Sequence, residues 1–352
     1  MAPNFKIKRL MDTPLHDLAW LQNSLQAALE LELSTLPPYL CGLYALKDQN
    51  SDPAKLIHSI ILDEMSHFGV VCNLIWANGM QPKIFDGYDA IAYPGPLPGG
   101  VRPRCDPALR FPCVPDFQVV LGFADYKSFV QMCMQIEYPE NPVPRPVVAA
   151  LGVEEETFPT IGEFYDAILA SFEALGNQIP YADNLNKQIQ NAFPPVVKID
   201  GLTAATNAIN LIKSQGEGAS RFPFSDPVKK TLAHFYKFGE IYYERKYEFV
   251  SATQTGDWTG DVMTVPNAFP MTPVPLGGYG PAAPQEVIDC DSLFTQMLHL
   301  LDQAWSGGED VALNAAIDSM DSLKSAVGVL FQKNIPRPGG GIFGPQFRKT
   351  GP

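Results

Sequence analysis

Positive charge is scarce in this sequence. Its 25 lysines and arginines face 38 aspartates and glutamates, a formal charge of -13 over 352 residues. Nucleic acids and anionic membrane surfaces are held by basic patches, so neither is an expected partner. Cysteine is also sparse: six residues and no CxxC pair, which excludes a zinc ribbon or a thioredoxin-type redox pair. Cys41, Cys72 and Cys133 sit in apolar helical text and read as small core residues. Cys105 and Cys113 flank a proline-rich loop and have the option of pairing. No stretch approaches the ~20 apolar residues of a membrane span, and the opening "MAPNFKIKRLMDTPL" lacks the apolar centre of a signal peptide. The expected location is therefore cytoplasmic and reducing. Strand patterns are weak throughout, which leaves an all-α class.

What is present is a large apolar fraction. Hydrophobic residues make up 46% and charged residues 18%, the balance of a globular chain with much buried surface. Helical periodicity places core helices at about 13–36, 54–79, 124–138 and 202–217 with 227–247, and C-terminal helices over 289–332. Thr13-Pro14 reads as the first helix start, Pro37-Pro38 as its bend or end, and Asn78-Gly79 as the stop of the second helix. Ser51 or Asp52 is the expected cap of that second helix. Thr160 with Glu163 forms a capping-box signature. Asp226-Pro227 reads as the start of the last core helix. Residues 82–117 are rich in proline and glycine, too long for a plain connector, and read as an ordered loop covering a pocket. The whole chain, 1–352, is read as one domain.

Within the apolar helices a few polar residues are out of place. "ILDEMSHFGV" sets Glu64 and His67 one turn apart on one face, either a satisfied core pair or half of a metal site. Glu32 lies among Ala28, Leu29, Thr35 and Leu36, and an unpaired carboxylate there would be expensive to bury. Its neighbour Glu30 falls on the other side of the helix. Glu137 ends the apolar run "FVQMCMQI", where a helix C-terminus disfavours a carboxylate. Both Glu32 and Glu137 are followed closely by proline, suggesting two related helix pairs. Bundle metal sites combine lone glutamates with Glu-x-x-His pairs, but no second Glu-x-x-His exists here. Glu217 and His234 are the nearest candidates, with Glu240 competing for the carboxylate. His16, His58 and His299 are read as structural. Tyr39, Phe68, Tyr138, Phe235, Tyr236 and Tyr243 either line a pocket or pack the core.

Taken together, "LQNSLQAALELELSTLPPYLCGLY", "SIILDEMSHFGVVCNLIWANGMQPKI", "MQIEYPEN", "LIKSQGEG", "HFYKFGEIYYER" and "GIFGPQFR" resemble the ferritin-like domains related to iminophenylpyruvate dimer synthase of indole pigment biosynthesis. The resemblance implies a ferritin-like four-helix bundle with extra C-terminal helices and long proline-rich loops. It implies a carboxylate-bridged centre of two irons, or manganese, held by Glu32, Glu64, His67, Glu137, Glu217 and His234. Glu64 would bridge the metals, and Tyr39 would stand beside them as a second catalytic group. Carboxylate and imidazole donors without thiolate suit such metals. The function so implied is a non-haem oxidoreductase using dioxygen or peroxide on a small organic, amino-acid-derived or indolic, metabolite of secondary metabolism. A homo-oligomer is compatible with this reading. The alternative is a metal-binding or storage protein without turnover.

Overall fold

The computed structural model describes residues 6–103, 117–140, 142–143, 159–192, 194–216, 222–307 and 310–350. Its architecture is all-α, as expected. Helix α1 spans Lys6–Met11, and the longest helix, α2, spans Leu18–Ala45. Asp17 caps α2 by accepting a bond from Trp20 N at 2.8 Å. The expected start at Thr13-Pro14 is therefore wrong. Thr13 instead donates its hydroxyl to Arg9 O at 2.9 Å and closes α1.

Of the expected bend or end at Pro37-Pro38, the end is not found, since α2 continues through both prolines to Ala45. A proline within a helix leaves the carbonyl four residues earlier without its donor. For Pro38 that carbonyl belongs to Ser34, and the Tyr93 hydroxyl donates to it at 2.6 Å. The covering segment thus repairs the ladder that the proline breaks.

Helix α3, Asp52–Ala77, runs back along α2. Ser51 caps it, and it stops at Asn78 followed by Gly79 at a φ of 78°, as the sequence implies. By length and hydropathy α3 would suffice to cross a membrane, contrary to the expectation that no segment comes near. Most of its apolar surface is buried inside the protein, as in a core helix.

The other half of the bundle comes in pieces. Helix α4 (Tyr126–Ile136) packs on α7 (His234–Tyr243), and α5 (Ile161–Leu175) packs on α6 (Leu202–Gln215). Both pairs lie on the α2/α3 hairpin. They act as two further rods, each broken midway. The Thr160–Glu163 capping box opens α5 as expected, with both reciprocal bonds made. The expected helix start at Asp226-Pro227 is not found. Asp226 Oδ1 accepts bonds from Val228 N and Lys229 N, both at 3.0 Å, which turns the chain between strands Phe224–Asp226 and Thr231–Leu232. The helix begins only at His234.

The expected C-terminal helices are present as α8 (Gln285–Gly307) and α9 (Asp310–Lys333), an antiparallel hairpin against the bundle. Cys41, Cys72, Cys133 and Cys290 are buried and free. Cys105 and Cys113 lie outside the described residues. Among residues 82–103, Tyr88 and Tyr93 anchor the loop to the tail and to α2. None of them lines either cavity described below.

Candidate metal centre

Glu32 on α2, Glu64 and His67 on α3, Glu137 capping the end of α4, and His234 opening α7 converge in the bundle interior. All five are buried, at 0–5% exposure. Glu32, Glu64 and His67 offer one ligand atom each within 4.8 Å of one another, and so do Glu64, Glu137 and His234. Glu64 belongs to both groups. His67 Nδ1 lies 3.5 Å from Glu32 Oε2 and 3.5 Å from Glu64 Oε1. His234 Nδ1 lies 3.0 Å from the same Glu64 Oε1 and 3.3 Å from Glu137 Oε2.

The remaining oxygen of each glutamate is pinned by a hydroxyl. Tyr165 donates to Glu32 Oε1, and Tyr39 donates to Glu137 Oε1. Thr35 donates to Glu64 Oε2 at 2.7 Å. One oxygen per carboxylate is thus held outward and the other is turned to the centre. Tyr39 and Glu64 both belong to this cluster.

The histidine rings are fixed from behind by one residue the sequence reading missed. Asp63 is an acceptor only. Its Oδ1 takes a bond from Gln215 Nε2 at 3.0 Å, which turns Gln215 Oε1 to His67 Nε2 at 2.8 Å. Its Oδ2 faces His234 Nε2 at 3.2 Å and accepts from Lys237 Nζ at 3.0 Å. Nε2 of both rings therefore carries the proton, and both Nδ1 atoms are left for a metal.

The charges fit this arrangement. Burial raises the Glu32 carboxyl above its ordinary range, against the opposing pull of His67. Burial also penalises the Glu64 carboxylate, but bonds from His234 and His67 outweigh it and hold the group low. Burial works against a charged His67, yet Glu32 and Glu64 push its pKa up to about 10. His234 is likewise raised against burial, by Glu137, Asp63 and Glu64. Burial pushes the Tyr39 hydroxyl well up, with Glu137 adding to it. Without a metal, two imidazolium rings balance the buried carboxylates. The donor set, three carboxylates and two oriented imidazoles without thiolate, fits iron or manganese.

Residues 25–243 match the ferritin-like family. The chain belongs to the ferritin-like family. A solved structure, a ferritin-like protein from Caulobacter vibrioides, is 24% identical, with a TM-score of 0.64 over 96% of this chain and 100% of that one. At that identity the likeness shows the fold. No curated protein matches.

The family's four rods explain the placement of the site. Glu137 and Tyr165 flank the break between α4 and α5, while Gln215 and His234 flank the break between α6 and α7. Gly216 comes close to the same point, since a Cβ there would meet Glu137 Oε2 at 3.5 Å. Glu217 lies outside the described residues. Glu240 is buried elsewhere, accepting from Tyr247 N at 2.9 Å and Lys246 Nζ at 3.1 Å, and joins neither ligand group. Glu30 is buried too, paired with Lys6 at 2.9 Å. His16 stacks on Trp20 and His299 on Phe85, as structural residues do.

Of the aromatics considered for a lining, Tyr39 bonds to Glu137 at the site, and Phe68 lines the larger cavity described below. Tyr236 and Tyr243 pack on Trp258, and Phe235 packs on Tyr138 and Trp258. Tyr165, Thr35, Gln215 and Lys237 were missed along with Asp63. Faint signals existed: Thr35 follows Glu32 by one turn, and Asp63 precedes His67 by one.

Proposed function

We propose that the protein is a non-haem metal oxidoreductase, with iron held by Glu32, Glu64, Glu137, His67 and His234. The observation that carries this reading is the convergence of three carboxylate oxygens and two Nδ1 atoms, each fixed from outside by a named partner. Glu64 is common to both ligand groups and would be shared by both, with His67 in one and His234 in the other. Iron bound there supplies one-electron chemistry toward dioxygen or peroxide. Manganese suits the same donors. The protein's own contribution is a buried ligand set and a Tyr39 hydroxyl that keeps its proton beside Glu137. Glu217 is proposed as a further carboxylate ligand. By resemblance to relatives of iminophenylpyruvate dimer synthase, the substrate is a small amino-acid-derived or indolic metabolite.

A second reading, metal binding without turnover, is favoured by one feature. The cavity over the carboxylates measures about 30 Å³, with Ile136, Ile161, Tyr165, Ile212 and Lys213 in its lining. It admits water-sized species and no organic molecule. An organic substrate therefore requires a lining side chain to move aside. Metal content per chain of aerobically purified, iron-supplemented protein tests the proposal. About two irons is expected for the oxidoreductase. A large mineral load would favour storage, and absence of any transition metal would sink both readings.

A further inference from the structure

A second cavity among the described residues is far larger than the one over the carboxylates. It measures about 620 Å³ and lies between the α2/α3 hairpin and the α8/α9 hairpin. It shares no lining residue with the metal centre. Protein interiors carry few voids larger than a water molecule, and sites for small organic ligands span roughly 300–1,000 Å³. This cavity is in the second class.

Its chemistry is divided between two ends. Phe294, Met297, Leu301 and Trp305 of α8 and Val196 close one end and are buried. The other end carries the exposed lining residues, and all are polar: Gln49, Asn50, Lys55, His58, Asp321 and Lys324. Between them, Leu36, Leu40, Leu62, Met65, Ile317 and Met320 are only partly covered by protein. Along α3 the lining runs from Ala54 to Phe68, about 20 Å of helix. The cavity is therefore long, apolar, blind at the tryptophan end and polar at its mouth.

The charge at the mouth runs against that of the whole chain. Lys55 and Lys324 face one aspartate, Asp321, on a protein of formal charge -13. Lys324 makes no ion pair with a described carboxylate, and Lys55 reaches Asp52 only at 4.0 Å. We propose that this cavity binds an elongated apolar molecule with an anionic head, of the fatty-acid class. The chain would lie along the leucine and methionine lining, and the carboxylate would meet Lys324 and Lys55 at the mouth. The proposal does not depend on the metal centre.

Titration of the full-length protein with palmitate, followed by calorimetry, tests it. Hexadecanol, with the same chain and a neutral head, is the comparison. Wild type is expected to bind palmitate at about micromolar affinity. Lys324→Glu is expected to weaken palmitate at least about tenfold and to leave hexadecanol nearly unchanged. Ile317→Trp with Met320→Trp is expected to abolish both by filling the cavity, with the circular-dichroism melting and metal content of wild type retained. Failure of wild type to bind palmitate would overturn the proposal. So would palmitate binding indifferent to both variants, and so would equal loss of hexadecanol in Lys324→Glu. If the double tryptophan variant does not fold, Ala54→Leu at the same lining serves as the filling variant, with the same expected loss.

Discussion

His67 and His234 face each other across Glu64, with ring centroids 5.7 Å apart and Nδ1 atoms 3.5 and 3.0 Å from the same carboxylate oxygen. One side chain therefore serves both halves of the centre. Glu64→Ala removes the oxygen the two halves share. It is expected to empty the site, lowering bound iron to a small fraction of wild type, while helix content changes little. Elemental analysis and circular dichroism on the same sample check both parts. A collapse of helix content would instead mark Glu64 as a structural residue whose partners carry the fold.

Asp63 touches no ligand atom that faces the centre, yet it sets both imidazole tautomers. Asp63→Asn replaces an acceptor with a group able to donate to His234 Nε2, which would put the His234 proton on Nδ1. Groups that orient metal-binding histidines are worth about 10–100-fold in metal affinity. A loss of that size is expected for Asp63→Asn, with retained helix content of the metal-free protein as a control. Nitrogen NMR of labelled histidine, showing altered tautomer signals, separates positioning from a general loss of structure.

Metal uptake should release protons. His67, raised to about 10 by Glu32 and Glu64, and His234, raised by Glu137 and Asp63, are both protonated at neutral pH when no metal is bound. Metal ligation needs the neutral ring. Binding at pH 7 is therefore expected to expel about two protons, and affinity to rise steeply with pH, up to about a hundredfold per unit. Calorimetry in two buffers of different ionisation enthalpy counts the protons. The same groups set the stability of the metal-free protein. Their raised pKa values contribute stability that is complete below about 6.5, the ordinary histidine value, and lost as pH climbs toward 10. A metal-free melting temperature that rose from pH 7 to pH 9 would contradict the assignment.

Glu32, Glu64, His67 and Glu137 were legible in the sequence because each is a polar residue inside an apolar helical run, where burial demands a partner. His234 was harder, since the residue three positions before it is Thr231, not a glutamate. Its helix begins at the histidine itself, so no periodic pattern precedes it. Asp63 left only the faint signal of lying one turn before His67. It sits one residue from Glu64, on a different face of α3, and its role depends on Gln215, 152 residues away. The continuation of α2 past Pro37-Pro38 was equally hidden, because the donor that repairs it, Tyr93, is supplied by a distant loop. Local text shows where a polar group is costly, whereas the group that satisfies it is a matter of tertiary packing.

Asn73 shows the same dependence on distant partners, and it makes the last prediction. Fully buried on α3, it donates to Ile189 O at 2.6 Å and Val197 O at 2.8 Å. It accepts from Ile189 N at 3.0 Å and from the Trp305 indole at 3.1 Å. One amide thus ties α3 to the Asn191–Val196 hairpin region and to α8, at the blind end of the large cavity. Asn73→Leu keeps the size of the side chain but strands two donors and two carbonyls away from water. Each orphaned buried group costs about 1–3 kcal/mol. A loss of at least about 3 kcal/mol is expected, with the damage concentrated at α8 and metal binding largely retained. Denaturant melting gives the first quantity. Hydrogen exchange should show α8 and residues 189–199 opening earlier, while α4 and α7 keep their protection; uniform loss across all helices would contradict a local role for Asn73.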